Sequence, residues 1–167
     1  MIAELKKIKD LIIINSNKYL FEIDCKKDKV NIVLKKLKEN NLFLFDQLLD
    51  ITAVDHPSRE FRFDLIYIIQ TLKNNKKLIL KTSLKENDSI ESVTSIYKAA
   101  DWYERECYDL FGIEFTNHPD LRRIMTDYNF EGHPLRKDFP LSGHTEVRYD
   151  DLEKKVIYEP VKLSQEF

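Results

Sequence analysis

Apolar residues in the first hundred positions follow spacings that predict the local structure. The triplet Ile12–Ile14, the turn cluster Asn15-Ser16-Asn17 and the alternating Tyr19, Phe21 and Ile23 predict a hairpin ending near Asp24. A short helix over residues 6–11 precedes it. Apolar positions 30, 33, 34 and 37 then recur at helical spacing within residues 27–40, leaving lysines on the outer face, and Asn40-Asn41 ends that helix. Residues 47–54 and 62–72 are rich in Ile, Leu and Tyr and read as strands. Asn74-Asn75 makes a tight turn into residues 78–84, where Leu78, Leu80, Thr82 and Leu84 alternate with lysines, so one face is solvated. Asp55-His56-Pro57-Ser58 reads as a loop. The order predicts a two-layer α+β domain: a mixed or antiparallel sheet with its helices on one face.

Asp88-Ser89-Ile90-Glu91 has capping-box spacing and predicts a helix from there to Phe111, with Gly112 at the left-handed C-cap. On it, Ile90, Val93, Ile96, Tyr97, Ala100, Tyr103, Cys107, Tyr108 and Phe111 form one stripe. Glu104 falls inside that stripe, and its first reading is a buried structural acid paired with an arginine of this chain. A catalytic acid is the sharper alternative, but no His, Ser or second acid shares the stripe. Trp102 falls opposite, among Arg105, Glu106 and Asp109; Trp102 is read as an anchor for a second protein, and those three neighbours as interface residues with it. Arg105 lies four residues from both Asp101 and Asp109, so local ion pairs are its default.

The pattern changes after residue 111. All three glycines (112, 132 and 143) and four of the five prolines lie beyond it. The 56 residues from Gly112 to Phe167 carry scattered apolar side chains interrupted by prolines that forbid helix before them. Such a segment is too thinly apolar for its own core and too apolar for a solvated chain. The division is therefore an α+β domain over residues 1–111 and an extended tail over 112–167 that wraps a partner. Charge divides with it: residues 1–100 carry 18 basic and 14 acidic groups, residues 101–167 carry 9 and 15. Five of the seven arginines follow residue 100. Arginine's planar fork suits desolvated pairs, so Arg122, Arg123, Arg136, Lys137, Asp138, Arg148 and Asp150 are read as interface residues, with His118 beside them.

Composition excludes several classes. No apolar run approaches the ~20 residues that cross a membrane, and the N-terminus reads as neither a secretory signal nor an import sequence. The net charge of −2 leaves no nucleic-acid footprint. Cys25 and Cys107 form no paired motif. His118, His133 and His144 are spaced 15 and 11 apart, which matches no zinc pattern, so no metal site is expected. No phosphate loop or nucleophile elbow is present.

Glu104-Arg105-Glu106-Cys107-Tyr108-Asp109-Leu110-Phe111, then His118 and Arg122-Arg123-Ile124-Met125, resembles the respiratory-chain NADH dehydrogenase 30 kDa subunit family. GHPLRKDFPLSG (132–143), EVRYDD (146–151), YEPVKLSQEF (158–167) and DITAVDHPSREFRF (50–63) resemble it too. The sequence departs from the family pattern at Cys107-Tyr108 and at His144, and it stops at Phe167 where many members continue. The resemblance implies a peripheral-arm subunit of proton-translocating NADH:ubiquinone oxidoreductase (complex I), wrapped on the 49 kDa-type neighbour that lines the quinone site. It also implies no cofactor on this chain, with FMN, iron–sulfur clusters and quinone on neighbouring subunits. The alternatives are the equivalent subunit of a membrane-bound hydrogenase and a free-standing acid–base enzyme. The 20 lysines, 17 isoleucines and 10 asparagines point to an AT-rich genome. That places the expected location on the matrix side of the mitochondrial inner membrane, or on the cytoplasmic face of a bacterial inner membrane.

Overall fold

A computed structural model describes residues 12–17, 19–42 and 44–162; the helix expected over residues 6–11 lies outside them. Five strands form one mixed sheet: β1 (Ile12–Ser16), β2 (Leu20–Asp24), β3 (Gln47–Asp55), β4 (Phe63–Thr71) and β5 (Lys76–Leu84), in the order β1-β2-β5-β4-β3. β2 and β5 run parallel and the other neighbours antiparallel. The parallel pair requires a crossover. It contains the helix α1 (Val30–Glu39), led in by a 3₁₀ turn at Lys27–Lys29, and the hairpin β3–β4.

Register places the apolar set on one face. Phe21 and Ile23 stand opposite Leu78 and Leu80, which face Ile69 and Tyr67; Tyr67 and Leu65 in turn face Ile51 and Ala53. All are buried, and they join Val30, Val33, Leu34 and Leu37 of α1 in one core cluster. The α+β expectation holds. The Asn74-Asn75 turn also forms, with Asn75 at φ +49, a conformation asparagine tolerates better than most side chains.

Residues 88–99 differ from expectation. Ser89–Glu91 is a short strand, β6, pairing in parallel with β7 (Glu114–Thr116), and the helix α2 spans only Ala100–Phe111. The capping-box spacing misleads because the Asp88 carboxylate instead accepts the Lys85 backbone N–H at 3.0 Å and pairs with Lys27 at 2.8 Å. Ile90 meets Phe115, a contact 25 residues away. Gly112 does end α2 in the left-handed region, at φ +73, with its N–H on the Tyr108 carbonyl. Cys107 is buried against β3, where its thiol donates to the Ile51 carbonyl at 3.3 Å.

The segment after α2 is not uniformly extended. Ile113 and Phe115 belong to the core, so the domain runs past residue 111. Residues 117–144 form an irregular strap against α2. A hairpin follows, β8 (Thr145–Asp150) and β9 (Lys155–Pro160).

Candidate functional site

An α-helix leaves its last four carbonyls without intrahelical partners. In α2 each finds one within the chain. Gly112 N–H serves Tyr108 O at 2.9 Å, and the His133 ring Nδ1–H serves Asp109 O at 2.8 Å. The Leu135 N–H serves Leu110 O at 3.1 Å, and Arg136 Nε serves Phe111 O at 2.6 Å. Three of the four donors come from the strap, and Arg136 and Arg123 also complement the negative end of the helix dipole. Gly112 admits them: a Cβ there would lie 2.5 Å from both Arg136 Nη2 and His133 Nε2.

Two buried carboxylates anchor the strap. Asp109 Oδ2 accepts the backbone N–H groups of Ile124, Met125 and Thr126 at 3.0, 2.7 and 2.9 Å. Its Oδ1 accepts Thr126 Oγ1–H at 2.6 Å and Arg123 Nη1 at 2.7 Å. Burial alone would raise the Asp109 carboxyl, but these donors, led by Thr126, overcome it and hold it well below the ordinary carboxylate range. At the other end, Asp55 takes a bidentate pair from Arg62 at 2.8 and 3.0 Å and the Lys137 backbone N–H at 2.7 Å. The Arg62 bond is the main cause of its lowered pKa. Arg62 reaches on to Asp138 at 2.9 Å and to Glu86 at 2.8 Å, and Arg136 sits 5.3 Å from the Phe63 ring centroid.

Glu104 is fully buried but has no arginine partner, contrary to the first reading. It accepts Ser92 Oγ–H at 2.6 Å and the Val93 N–H at 2.7 Å. That N–H is available because residues 92 and 93 lie outside any helix. Burial pushes the Glu104 carboxyl up to about 7, against the two hydrogen bonds. His118 Nε2 lies 3.8 Å from Glu104 and donates to the Asp101 carbonyl at 3.1 Å. Its Nδ1 accepts the Asp120 N–H at 3.1 Å, which leaves Nε2 as the donor nitrogen. Sealed from solvent, Glu104 is out of reach of a substrate, which removes the geometry an acid–base enzyme needs.

Several residues expected at an interface are engaged within the chain itself. Asp109, Arg105 and the His118 side chain are buried within the chain, and Arg123 and Arg136 are largely so. Arg105 donates to the Arg122 and Arg123 carbonyls at 3.2 and 3.4 Å rather than pairing with Asp101 and Asp109. Lys137 and Asp138 join the Asp55–Arg62 clamp. Trp102 is 69 % exposed, and Arg122, paired with Asp120, Arg148, paired with Glu159, and the side chains of Lys137 and Asp138 are exposed as well. Glu106 is half-buried, and Asp150 closes the hairpin turn by accepting the Leu152 and Glu153 N–H groups. The three tail histidines go separate ways, and among the described residues no group of three or more His, Cys, Asp or Glu side chains gathers. Asp55, Arg62, Glu86 and Thr126 were missed by sequence reasoning. The available signal was Arg62, a charge at the head of an apolar strand.

Register divides the hairpin into two unlike faces. Val147 stands opposite Tyr158 and Tyr149 opposite Val156, while Arg148 and Glu159 lie on the other face and pair at 3.0 Å. The four apolar side chains are 55–61 % exposed, and Leu152 at the tip is 95 % exposed. A two-stranded sheet is marginal in water by itself.

The family model described as respiratory-chain NADH dehydrogenase, 30 Kd subunit, matches residues 23–145. The C-type subunit of the NADH-quinone oxidoreductase of Cereibacter sphaeroides is 54 % identical over 123 residues, covering 74 % of this chain and 62 % of the relative. The probable mitochondrial NADH-ubiquinone oxidoreductase 30.4 kDa subunit of Candida maltosa is 47 % identical over 173 residues, covering 98 % and 63 %. The chain thus spans just under two thirds of the length of these relatives. Among solved structures, a chain of an archaeal respiratory membrane complex, the membrane-bound sulfane sulfur reductase, superposes with TM-score 0.73 at 27 % identity, covering 84 % of each chain. A trypsin-resistant fragment (1-134) of Nqo5 superposes with TM-score 0.61 at 25 % identity, covering 72 % of this chain and 96 % of the fragment.

Proposed function

The chain belongs to the respiratory-chain NADH dehydrogenase 30 kDa subunit family, and from that premise we propose that it is a peripheral-arm subunit of NADH:quinone oxidoreductase with a structural task. It braces a 49 kDa-type neighbour that lines the quinone site and carries no redox centre itself; flavin, clusters and quinone belong to adjacent subunits. The observation that carries this reading is the hairpin: an exposed apolar face on a sheet too small to stand alone needs a protein surface to cover it. Trp102 adds a further exposed aromatic, on α2. No helix among the described residues is long and apolar enough to cross a membrane. Relatives are both bacterial and mitochondrial; the lysine-, isoleucine- and asparagine-rich composition favours an organelle-encoded subunit on the matrix side of the inner membrane.

The test is affinity purification of the tagged full chain from detergent-solubilised membranes, with every bound chain identified by mass spectrometry. Recovery of NADH:quinone reductase subunits, the 49 kDa-type chain among them, is the expected result. A chain recovered alone, with its hairpin resistant to protease, would overturn the proposal. The similarity to the sulfane sulfur reductase chain motivates a second reading, the equivalent subunit of a hydrogenase-like complex. A co-purified large chain bearing paired Cys-x-x-Cys nickel ligands would select it.

A further inference from the structure

Between the strap and the hairpin lies a cavity of about 560 Å³, within the size range of functional pockets. Phe130 and Phe139 meet on its wall with ring centroids 5.7 Å apart, and His144 meets Phe139 edge-on at 5.4 Å. Phe139 also lies against Gly132, where a Cβ would come within 2.9 Å of its ring. Gly132 adopts φ +91, so both the space and the backbone there call for glycine. The charged lining residues are two acids, Asp127 and Glu131, with no lysine or arginine among them. Asp127 Oδ2 accepts the Tyr158 hydroxyl at 3.1 Å, and Glu131 is exposed. Aromatic faces beside carboxylates attract a cation. This chain already illustrates the chemistry: the Arg123 guanidinium lies 5.9 Å from the Phe130 ring centroid.

We propose that this cleft receives a cationic side chain, arginine in preference to lysine, presented by the neighbouring subunit. The inference rests on the assembly reading above and deepens it. A polypeptide is favoured over a free small molecule because Tyr158 belongs both to the cleft lining and to the open apolar face of the hairpin. A partner covering Val147, Tyr149 and Val156 therefore reaches the cleft along a continuous surface. Arginine fits best because its planar guanidinium can stack on a ring while its edge donates to Asp127 and Glu131.

The test uses the full chain assembled in its native membranes. A photo-cross-linking amino acid is placed at Asn129, which lines the cleft, and the joined peptide is sequenced. The double variant D127N/E131Q and the single variant E131Q are purified in parallel, with far-UV circular dichroism as the fold control. The expected result is a cross-link to a partner peptide within a few residues of an arginine or lysine. Recovery of assembled chain should fall about tenfold in the double variant and less in E131Q. A cross-link to lipid, to no protein, or to a segment without basic residues overturns the cleft proposal while the assembly reading stands. Undiminished recovery of a folded double variant does the same. Recovery of the unmodified chain without any oxidoreductase subunit overturns the assembly reading instead.

Discussion

The strap (residues 117–144) and the hairpin (residues 145–160) follow each other in sequence but are stabilised by opposite means. The strap buries few apolar groups and is held by hydrogen bonds to two sealed carboxylates, Asp109 and Asp55, and to the open end of α2. The hairpin has its charges paired on one face and leaves its apolar face uncovered. Arg105, Arg123 and Arg136 are occupied within the chain, while the apolar side chains of the hairpin stay exposed, and in the proposed assembly these are the groups that meet a neighbour. The difference separates what folds the chain from what the chain offers to others.

Breaking the strap should give the largest effect. Asp109→Ala leaves the buried Arg123 contact and three backbone N–H groups without their acceptor, and should lower stability by about 3–5 kcal/mol. Urea unfolding measures the loss, and new tryptic cleavage at Arg122 and Arg123 reports release of the strap. An unchanged urea midpoint would remove Asp109 as the anchor.

The second prediction contrasts Asp109 with Glu104, five residues earlier on the same helix. Glu104 titrates near 7 when folded, against 4.5 as its ordinary value. Between those values the folded state holds a proton that the unfolded chain has lost. Glu104 therefore contributes stability that is fully present below about pH 4.5 and declines as pH rises to 7, by about 1.4 kcal/mol per pH unit and roughly 3 kcal/mol in all. Asp109 has the opposite sign: its contribution is present above the ordinary aspartate range and lost on acidification through it. His133, held low mainly by burial, also loses stability as acid protonates it. The comparison of wild type with Glu104→Gln isolates the first effect. The variant should lack the 4.5-to-7 decline, and parallel pH–stability curves would refute the assignment.

Arg136→Ala should cost about 2 kcal/mol of chain stability, because Phe111 O loses its donor and Phe63 its neighbour. A loss of partner recovery with stability unchanged would restore Arg136 to the interface. The smallest effect on folding belongs to the hairpin. Val147→Ser with Tyr149→Ser should shift chain stability by less than about 0.5 kcal/mol, as should Trp102→Ala. Both should sharply reduce co-purified partner, and partner recovery at wild-type levels would contradict the docking role of that face.

Much of this was legible locally. Alternation located β2 to β5, helical spacing located α1, and Gly112 marked the end of α2, because each depends on neighbours a few residues away. Residues 88–99 mislead because Ile90 pairs with a strand 25 residues later, a contact that carries no local mark. The Glu104 error follows from that one: a helix over these residues would hide the Val93 N–H, and only the turn exposes it to the carboxylate. Asp109 reads as interface because an isolated carboxylate on a helix gives no sign that a loop fifteen residues on will fold over it.

By itself the sequence determined the α+β class, the family and the thinly apolar, proline-interrupted character of the last third. Those follow from composition, periodicity and the residues of the family pattern. Only the tertiary structure decided which charges stay at home. Donors and acceptors far apart in sequence are matched by the position of α2 against the strap, and burial then decides whether a carboxylate binds its proton or gives it up.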